Sequence, residues 1–350
     1  MPSQFARPLD QLRRTDEPGF GGKSANLGEL LAADIPVPPG FALSTEAFHA
    51  FVRDAGLSDR IDSALSGVTA GDVDAIGRAS HALSEAMRFA PVPKAVRDEI
   101  AEHYAQLGEG SPPVAVRSSA VGEDSQDATF AGQQETYLWV RGAEPVCDAV
   151  RDCWVSLFSP PAISYRLRLG DRAQTPAMGV TVQSMVDAEV SGVMFTCNPV
   201  SGDPSMVAIN ASWGLGLAVV GGEVTPDDFL VSKVTREVVR EHVHTKDVQY
   251  VPDAGGDGAV RVAVPDDKRD QRCLDQPALE RLVQVARSVE RHFGCHQDIE
   301  WALARDPEGE LFVVQTRPVT AVAKKQDKPK AESALSLIMS TFGAAPRSDG

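Results

Sequence analysis

The chain has 350 residues and a formal net charge of −15, from 34 lysines and arginines against 49 aspartates and glutamates. That length asks for two packed subdomains rather than one core, and an acidic excess with no basic block to offset it excludes nucleic-acid binding as the main activity. The five cysteines are odd in number and include no C-x-x-C pair, which fits neither a disulfide framework nor a zinc site. With no run near the roughly 18 apolar residues of a membrane span and no targeting segment, the expectation is a cytoplasmic chain without a membrane partner.

A polar lead gives way to Gly19-Phe20-Gly21-Gly22-Lys23-Ser24 and then to a helical pattern at Ala25, Leu27, Leu30 and Leu31. A glycine turn entering a helix exposes backbone N–H groups, and Lys23 adds a charge, so this stretch suits a phosphate; it also reads as a plain turn before a helix. It is not a Walker A loop, because Glu17 stands where that motif needs its first glycine.

From Thr45 to Leu107 the apolar spacing is helical, with Phe48, Phe51, Ile76, Leu83, Met87, Val96 and Ile100 on the repeating face. His49, His81 and His103 fall in it singly and are assigned no chemistry. PVAVRS at 113–118 reads as a short buried strand ending on Arg117, where an arginine is either paired, for example with Glu123 or Asp124, or waiting for an anion. The Gly-, Asp- and Ser-rich stretch to Gln134 is a candidate functional loop before a strand at Tyr137 to Val140.

A helical region, Glu144 to Gly170, precedes two strands, Met178 to Val186 and Ser191 to Cys197, joined tightly around Asp187. Gln183, Met185 and Val186 stand where a strand leaves its sheet and can offer backbone groups to a purine edge. Further strands are expected at Met206 to Ala211 and, as one run, Phe229 to Val243. Tyr250 to Asp275 reads as an exposed connection with one short strand at Val260 to Val264. An amphipathic helix, Leu279 to Phe293, stops at Gly294 in the position that follows a helix C-terminus.

It leads into DIEWALARDPEGELFVVQTRP, residues 298–318. Apolar and polar residues alternate on both sides of Asp306-Pro307-Glu308-Gly309, whose Pro and Gly mark a type I turn. A hairpin centred there sets Glu300 opposite Gln315 and Asp298 opposite Arg317, all four on one face, with Ile299, Trp301 and Leu303 on the other. Two carboxylates, an amide and a guanidinium suit a divalent cation holding phosphate oxygens; a solvated face with a cross-strand ion pair is the plainer alternative. Residues 321–350 read as a lysine-rich linker and a tail whose apolar patch, Leu335 to Phe342, could dock on a partner.

Six blocks, GGKSANLGEL (21–30), VAVRSSAVGEDS (114–125), FAGQQETYL (130–138), VQSMVDAEVSGVMFTCNPVSGD (182–203), NASWGLG with VTPDDF (210–229) and QDIEWA with VVQTRPVT (297–320), stand in one order along the chain. Together they resemble the N-terminal nucleotide-binding domain of the phosphoenolpyruvate synthase, pyruvate phosphate dikinase and rifampicin phosphotransferase family. The resemblance implies an α+β, two-lobed ATP-grasp-type fold, with lobes at 1–190 and 191–320 and a helical insertion at about 45–110. ATP and Mg²⁺ are the implied cofactors. Lys23 and Arg117 would contact ATP phosphates, with Gly132, Thr136 and Glu189 adding nucleotide contacts. Gln183 and the Met185–Val186 backbone would hold the adenine, and Glu300 and Gln315 the Mg²⁺. Arg317 would stabilise the charge on the transferring phosphate, oriented by Asp298, which makes Lys23, Arg117 and Arg317 the catalytic set.

Two positions depart from the family pattern: Leu217 stands where a carboxylate is common, and His296 where proline often precedes QDIEW. None of the seven histidines lies in the Gly- and Ser/Thr-rich context of the family's phosphorylated histidine. The chain is therefore expected to run the ATP half-reaction, releasing AMP and phosphate, and to need a subunit or domain that carries that histidine and the acceptor site. In this it resembles the ATP-binding subunit of phenylphosphate synthase; an excised domain of a longer synthase is the alternative. A non-catalytic ATP sensor is the competing class, and it has no need of groups aimed at the transferred phosphate.

Overall fold

The computed structural model describes residues 4–120, 135–168, 176–253, 255, 258–305 and 309–319. The loop at 121–134, the hairpin tip at 306–308 and the tail from 320 lie outside the described residues. The chain divides into two compact units, Met1–Gly28 with Pro39–Met185, and Glu29–Pro38 with the residues from Val186 onward.

The first unit holds β1 (Ala6–Pro8), α1 (Glu17–Phe20), the start of α2 (Gly22–Ala32), β2 (Gly40–Leu43), α3 (Thr45–Asp54), α4 (Ser58–Leu65), α5 (Val73–Arg88), α6 (Lys94–Ala105), β3 (Val114–Ala120), β4 (Thr136–Val140), α7 (Ala143–Ser156), α8 (Pro160–Arg168) and β5 (Met178–Ser184). Its strands form an antiparallel sheet in the order β1-β2-β5-β3-β4. The helices bury the faces their sequence periodicity marks: Ala47, Phe48 and Phe51 of α3, Ile76, Leu83 and Met87 of α5, and Val96 and Ile100 of α6. Trp154 of α7 lies among them, stacked on Phe51 at 5.1 Å and edge-on to Phe48 at 6.0 Å. Asp72 caps α5 by accepting from the Ala75 amide at 2.9 Å, which holds an orphan N–H of the first turn.

The second unit holds β6 (Ala188–Phe195), β7 (Met206–Trp213), α9 (Leu217–Val220), β8 (Asp227–Ser232), β9 (Val238–His242), β10 (Val248–Pro252), β11 (Ala259–Ala263), α10 (Asp266–Arg269), α11 (Gln276–Phe293), β12 (Gln297–Ala304) and β13 (Leu311–Pro318). Six strands make an antiparallel sheet ordered β13-β12-β6-β7-β8-β9, and β10 pairs with β11 alone. Trp301 is buried against Gly192 of β6, where a Cβ would run into both the Trp301 ring and the Asn210 carbonyl, so only glycine lets β12 close onto β6. Asp275 caps α11 through the Ala278 amide, and Gly294 ends it in the left-handed region.

Three local readings change. The run from Phe229 to Val243 is two strands, because Ser232 Oγ accepts from the Val234 and Thr235 amides and Arg236 takes a positive φ, making a turn without glycine or proline. The stretch from Tyr250 to Asp275 contains the β10–β11 hairpin and α10, not one strand. β5 and β6 are consecutive in sequence yet sit in different sheets, with the division between units falling between Met185 and Val186.

Candidate functional site

In the first unit the glycine stretch forms a joint between α1 and α2. Gly21 takes a positive φ, and a Cβ there would collide with the Ser119 carbonyl, so α2 starts against the end of β3 at a distance that excludes a side chain. A buried hydroxyl cluster fixes that approach. Ser24 N donates to Ser119 Oγ at 3.2 Å, and Ser24 Oγ lies 3.3 Å from Ser119 Oγ and 2.7 Å from Thr181 Oγ1 on β5. Lys23, 8% exposed, donates from Nζ to the Ser118 carbonyl at 3.1 Å. The lysine thus meets β3 at the residue next to Arg117.

Arg117 lies in the middle of β3 rather than at its end, with Thr136 of β4 and Thr181 of β5 as its cross-strand partners. Lys23, Arg117 and the exposed Thr136 therefore belong to one corner of the sheet, while Gly132 lies outside the described residues. Gln183 is buried near the end of β5, opposite Gly40 and Ala115. The Met185 amide donates to the Pro113 carbonyl at 2.9 Å, so the group Met185 has for a purine edge is its carbonyl.

In the second unit the β12–β13 register sets Asp298 against Arg317 and Glu300 against Gln315, as the sequence alternation requires. A bulge follows at once: Trp301 pairs with Val313, so Val314 is the extra residue. Arg317 Nε donates to Asp298 Oδ2 at 2.9 Å, while Asp298 Oδ1 is buried with no hydrogen-bond partner among the described residues. Burial pushes the Asp298 carboxyl up to about 6, against the charge and hydrogen bond of Arg317, which pull it down. Behind the face, Thr316 Oγ1 donates to Gln297 Oε1 at 2.9 Å and the Gln297 amide donates to Thr196 Oγ1 at 2.8 Å, which ties the hairpin to the end of β6.

These donors fit Mg²⁺ held with a polyphosphate. A carboxylate opposite an amide supplies hard oxygen ligands, and no group of three His, Cys, Asp or Glu makes a metal cage among the described residues, so nucleotide oxygens would complete the shell, as Mg²⁺ sites commonly require. Glu189, at the start of β6, accepts from Lys268 Nζ at 3.2 Å through its carboxylate and from the Gly214 amide at 2.8 Å through its carbonyl. Sequence reasoning did not single out Ser24, Ser119, Thr181 or Lys268. The adjacency of Ser24 to Lys23 and of Ser119 to the Arg117 strand was the available signal.

The chain matches the family described as pyruvate phosphate dikinase, AMP/ATP-binding domain, over residues 17–336. It is 39% identical over 350 residues to a probable phosphoenolpyruvate synthase of Methanocaldococcus jannaschii, covering 98% of this chain and 29% of that protein. A probable phosphoenolpyruvate synthase of Archaeoglobus fulgidus is 39% identical over 347 residues, with 97% and 45% covered. The phosphoenolpyruvate synthase of Pyrococcus furiosus is 35% identical over 390 residues, with 99% and 48% covered. The chain thus spans less than half the length of each of these curated relatives.

Proposed function

The chain belongs to the pyruvate phosphate dikinase AMP/ATP-binding domain family, and from that premise we propose that it binds Mg-ATP and runs the nucleotide half of a dikinase-type phosphotransfer. One phosphoryl group goes to a histidine on a swivelling domain or subunit outside this chain and the other to water, so that AMP and phosphate are released. The observation that carries this reading is the hairpin face, where one register aligns Glu300 with Gln315 and Asp298 with Arg317.

Lys23 and Arg117 of the first unit, with Thr136 and the loop residue Gly132, bind phosphate oxygens; Gln183, the Met185–Val186 backbone and Glu189 hold the nucleoside. Glu300 and Gln315 hold Mg²⁺, which when bound neutralises phosphate charge. Arg317, kept in place by Asp298, meets the charge that develops on the phosphoryl oxygens in transfer.

None of the seven histidines lies in the family's Gly- and Ser/Thr-rich context, which supports an acceptor elsewhere. His242 is hydrogen-bonded to Asp228, His244 to the Pro226 carbonyl, His292 to Glu29 and His296 to Glu290. His103 stacks on Phe41, and His49 and His81 ride on helices of the insertion. The relatives' names favour pyruvate as the final acceptor over phenol, which a phenylphosphate synthase-like arrangement would use.

Calorimetry with a non-hydrolysable ATP analogue and Mg²⁺ tests the first step: a saturable heat is expected, and its absence overturns the reading. ATP labelled at the β- or γ-phosphate, given with a histidine-bearing segment of a relative and then pyruvate or phenol, tests the rest. An acid-labile label on that segment, passed on to pyruvate, is expected. A stable phosphohistidine on this chain itself overturns the division of labour, and transfer to phenol alone selects the other acceptor.

A further inference from the structure

We propose that Lys268, its ammonium over the face of Trp213, is a positioning residue for the nucleotide, holding the Glu189 carboxylate so that it accepts from hydrogen-bond donors of the nucleoside. The inference rests on the nucleotide-binding reading above and adds a residue to it. Lys268 Nζ lies 3.2 Å from Glu189 Oε1 and 5.0 Å from the centroid of the Trp213 ring. The ammonium is thus shared between a carboxylate and an aromatic face, two contacts that favour the same charge and together fix its direction.

The backbone beneath Lys268 is anchored, although α10 has only four residues. Trp213 Nε1 donates to the Lys268 carbonyl at 3.1 Å, and the Lys246 amide donates to the Arg269 carbonyl at 2.9 Å. Lys246 is itself fully buried in an ion pair with Asp227 at 2.5 Å. Asp227 also accepts from the His244 amide at 3.0 Å and from the Cys273 amide at 3.0 Å. A buried carboxylate with three donors leaves the connection from His244 to Cys273 little freedom, and Lys268 stands on that connection.

Stability does not account for the arrangement. The side chains of Lys268 and Glu189 are 41% and 42% exposed, and a pair this wet contributes little to stability. Orientation does account for it. A carboxylate near a nucleotide is repelled by the phosphates and can only accept, so its partner is a hydroxyl of the sugar or the exocyclic amine of the base. Lys268 cancels the repulsive charge and leaves Glu189 its remaining lone pairs, aimed from a fixed position.

The test is Lys268→Met, which keeps the apolar stem on Trp213, with Lys268→Arg as the conservative partner, in the full chain. Mg²⁺ complexes of a non-hydrolysable ATP analogue are titrated, together with its 2′-deoxy, 3′-deoxy and deaminated-base forms. Wild type is expected to lose affinity for the form that lacks Glu189's donor. Lys268→Met should bind the parent analogue up to about fivefold more weakly, lose less on removal of that one donor, and melt at the wild-type temperature without nucleotide; Lys268→Arg should restore both binding and discrimination. Unchanged affinity and discrimination in Lys268→Met, with wild type binding normally, overturns the inference alone. Equal weakening toward every form, unrescued by arginine, also overturns it. No binding by wild type overturns the nucleotide reading instead.

Discussion

At the scale of single residues, the proposed function gives Glu300 and Arg317 different work although they share one face of the hairpin. Glu300→Gln keeps shape and removes charge from a hard-cation site, so the Mg²⁺-dependent part of ATP-analogue affinity is expected to fall about tenfold or more. Binding without metal should change little, and calorimetry with and without Mg²⁺ separates the two. Arg317→Lys keeps a positive charge beside Asp298 but loses the planar fork, so transfer to the acceptor histidine should slow by about 10²-fold while ATP affinity is nearly kept. A lysine variant with the full single-turnover rate would remove Arg317 from transfer. These pairs were named in the sequence because period-2 alternation on both sides of the Pro-x-Gly stretch points to a hairpin, but the register next to the turn is one residue off theirs, and the unforeseen bulge at Val314 is what brings them into line. Ser24, Ser119 and Thr181 were not named, since their hydroxyls meet only after three elements far apart in sequence have packed.

At the scale of elements, α2 and α7 give separate expectations. Gly21→Ala must fit a Cβ into the Ser119 backbone at a positive φ, so the start of α2 has to move and carry Lys23 with it. A loss of about 1–3 kcal/mol in chemical denaturation is expected together with weakened nucleotide binding; a variant that binds and unfolds like wild type would contradict the close approach. On α7, burial pushes the Cys147 thiol up to about 12 and raises Cys153 as well. A folded-state pKa above the unfolded value of 9.0 means that the folded chain keeps protons the unfolded chain releases. The contribution is therefore complete below pH 9 and is lost as pH climbs toward the folded values. Melting temperature should fall between pH 9 and 10.5, and Cys147→Ala with Cys153→Ala should flatten that fall while lowering stability at neutral pH. The helices themselves were legible from their 3.6-residue spacing. The β8–β9 turn was hidden because a serine hydroxyl and a left-handed arginine do what glycine and proline usually signal.

At the scale of the whole molecule, the sequence order of the blocks named phosphate-site candidates that fall in both units, but did not show the passage of the chain between those units. The end of α2 from Glu29 and the residues that follow it to Pro38 belong to the second unit, where the Val313 amide donates to the Pro36 carbonyl at 2.8 Å and His292 pairs with Glu29 at 2.9 Å. Nothing in local periodicity encodes such a return, because it depends on partners supplied by α11 and β13, the last helix and the last strand described. The same scale sets the last expectation. Four of the seven histidines each commit one of two ring nitrogens to a hydrogen bond and keep the other, and His103 is buried, so the expectation rests on the missing Gly- and Ser/Thr-rich histidine context rather than on those bonds. Incubated alone with Mg²⁺ and ATP labelled in parallel at the β- or the γ-phosphate, the chain should release phosphate slowly and retain no acid-labile label. Adding a histidine-bearing segment of a relative should move label onto that segment, and substituting its histidine should abolish the transfer. If label stays on this chain, replacing the histidines that are not buried, His49, His81, His242, His244, His292 and His296, one at a time should show which of them holds it.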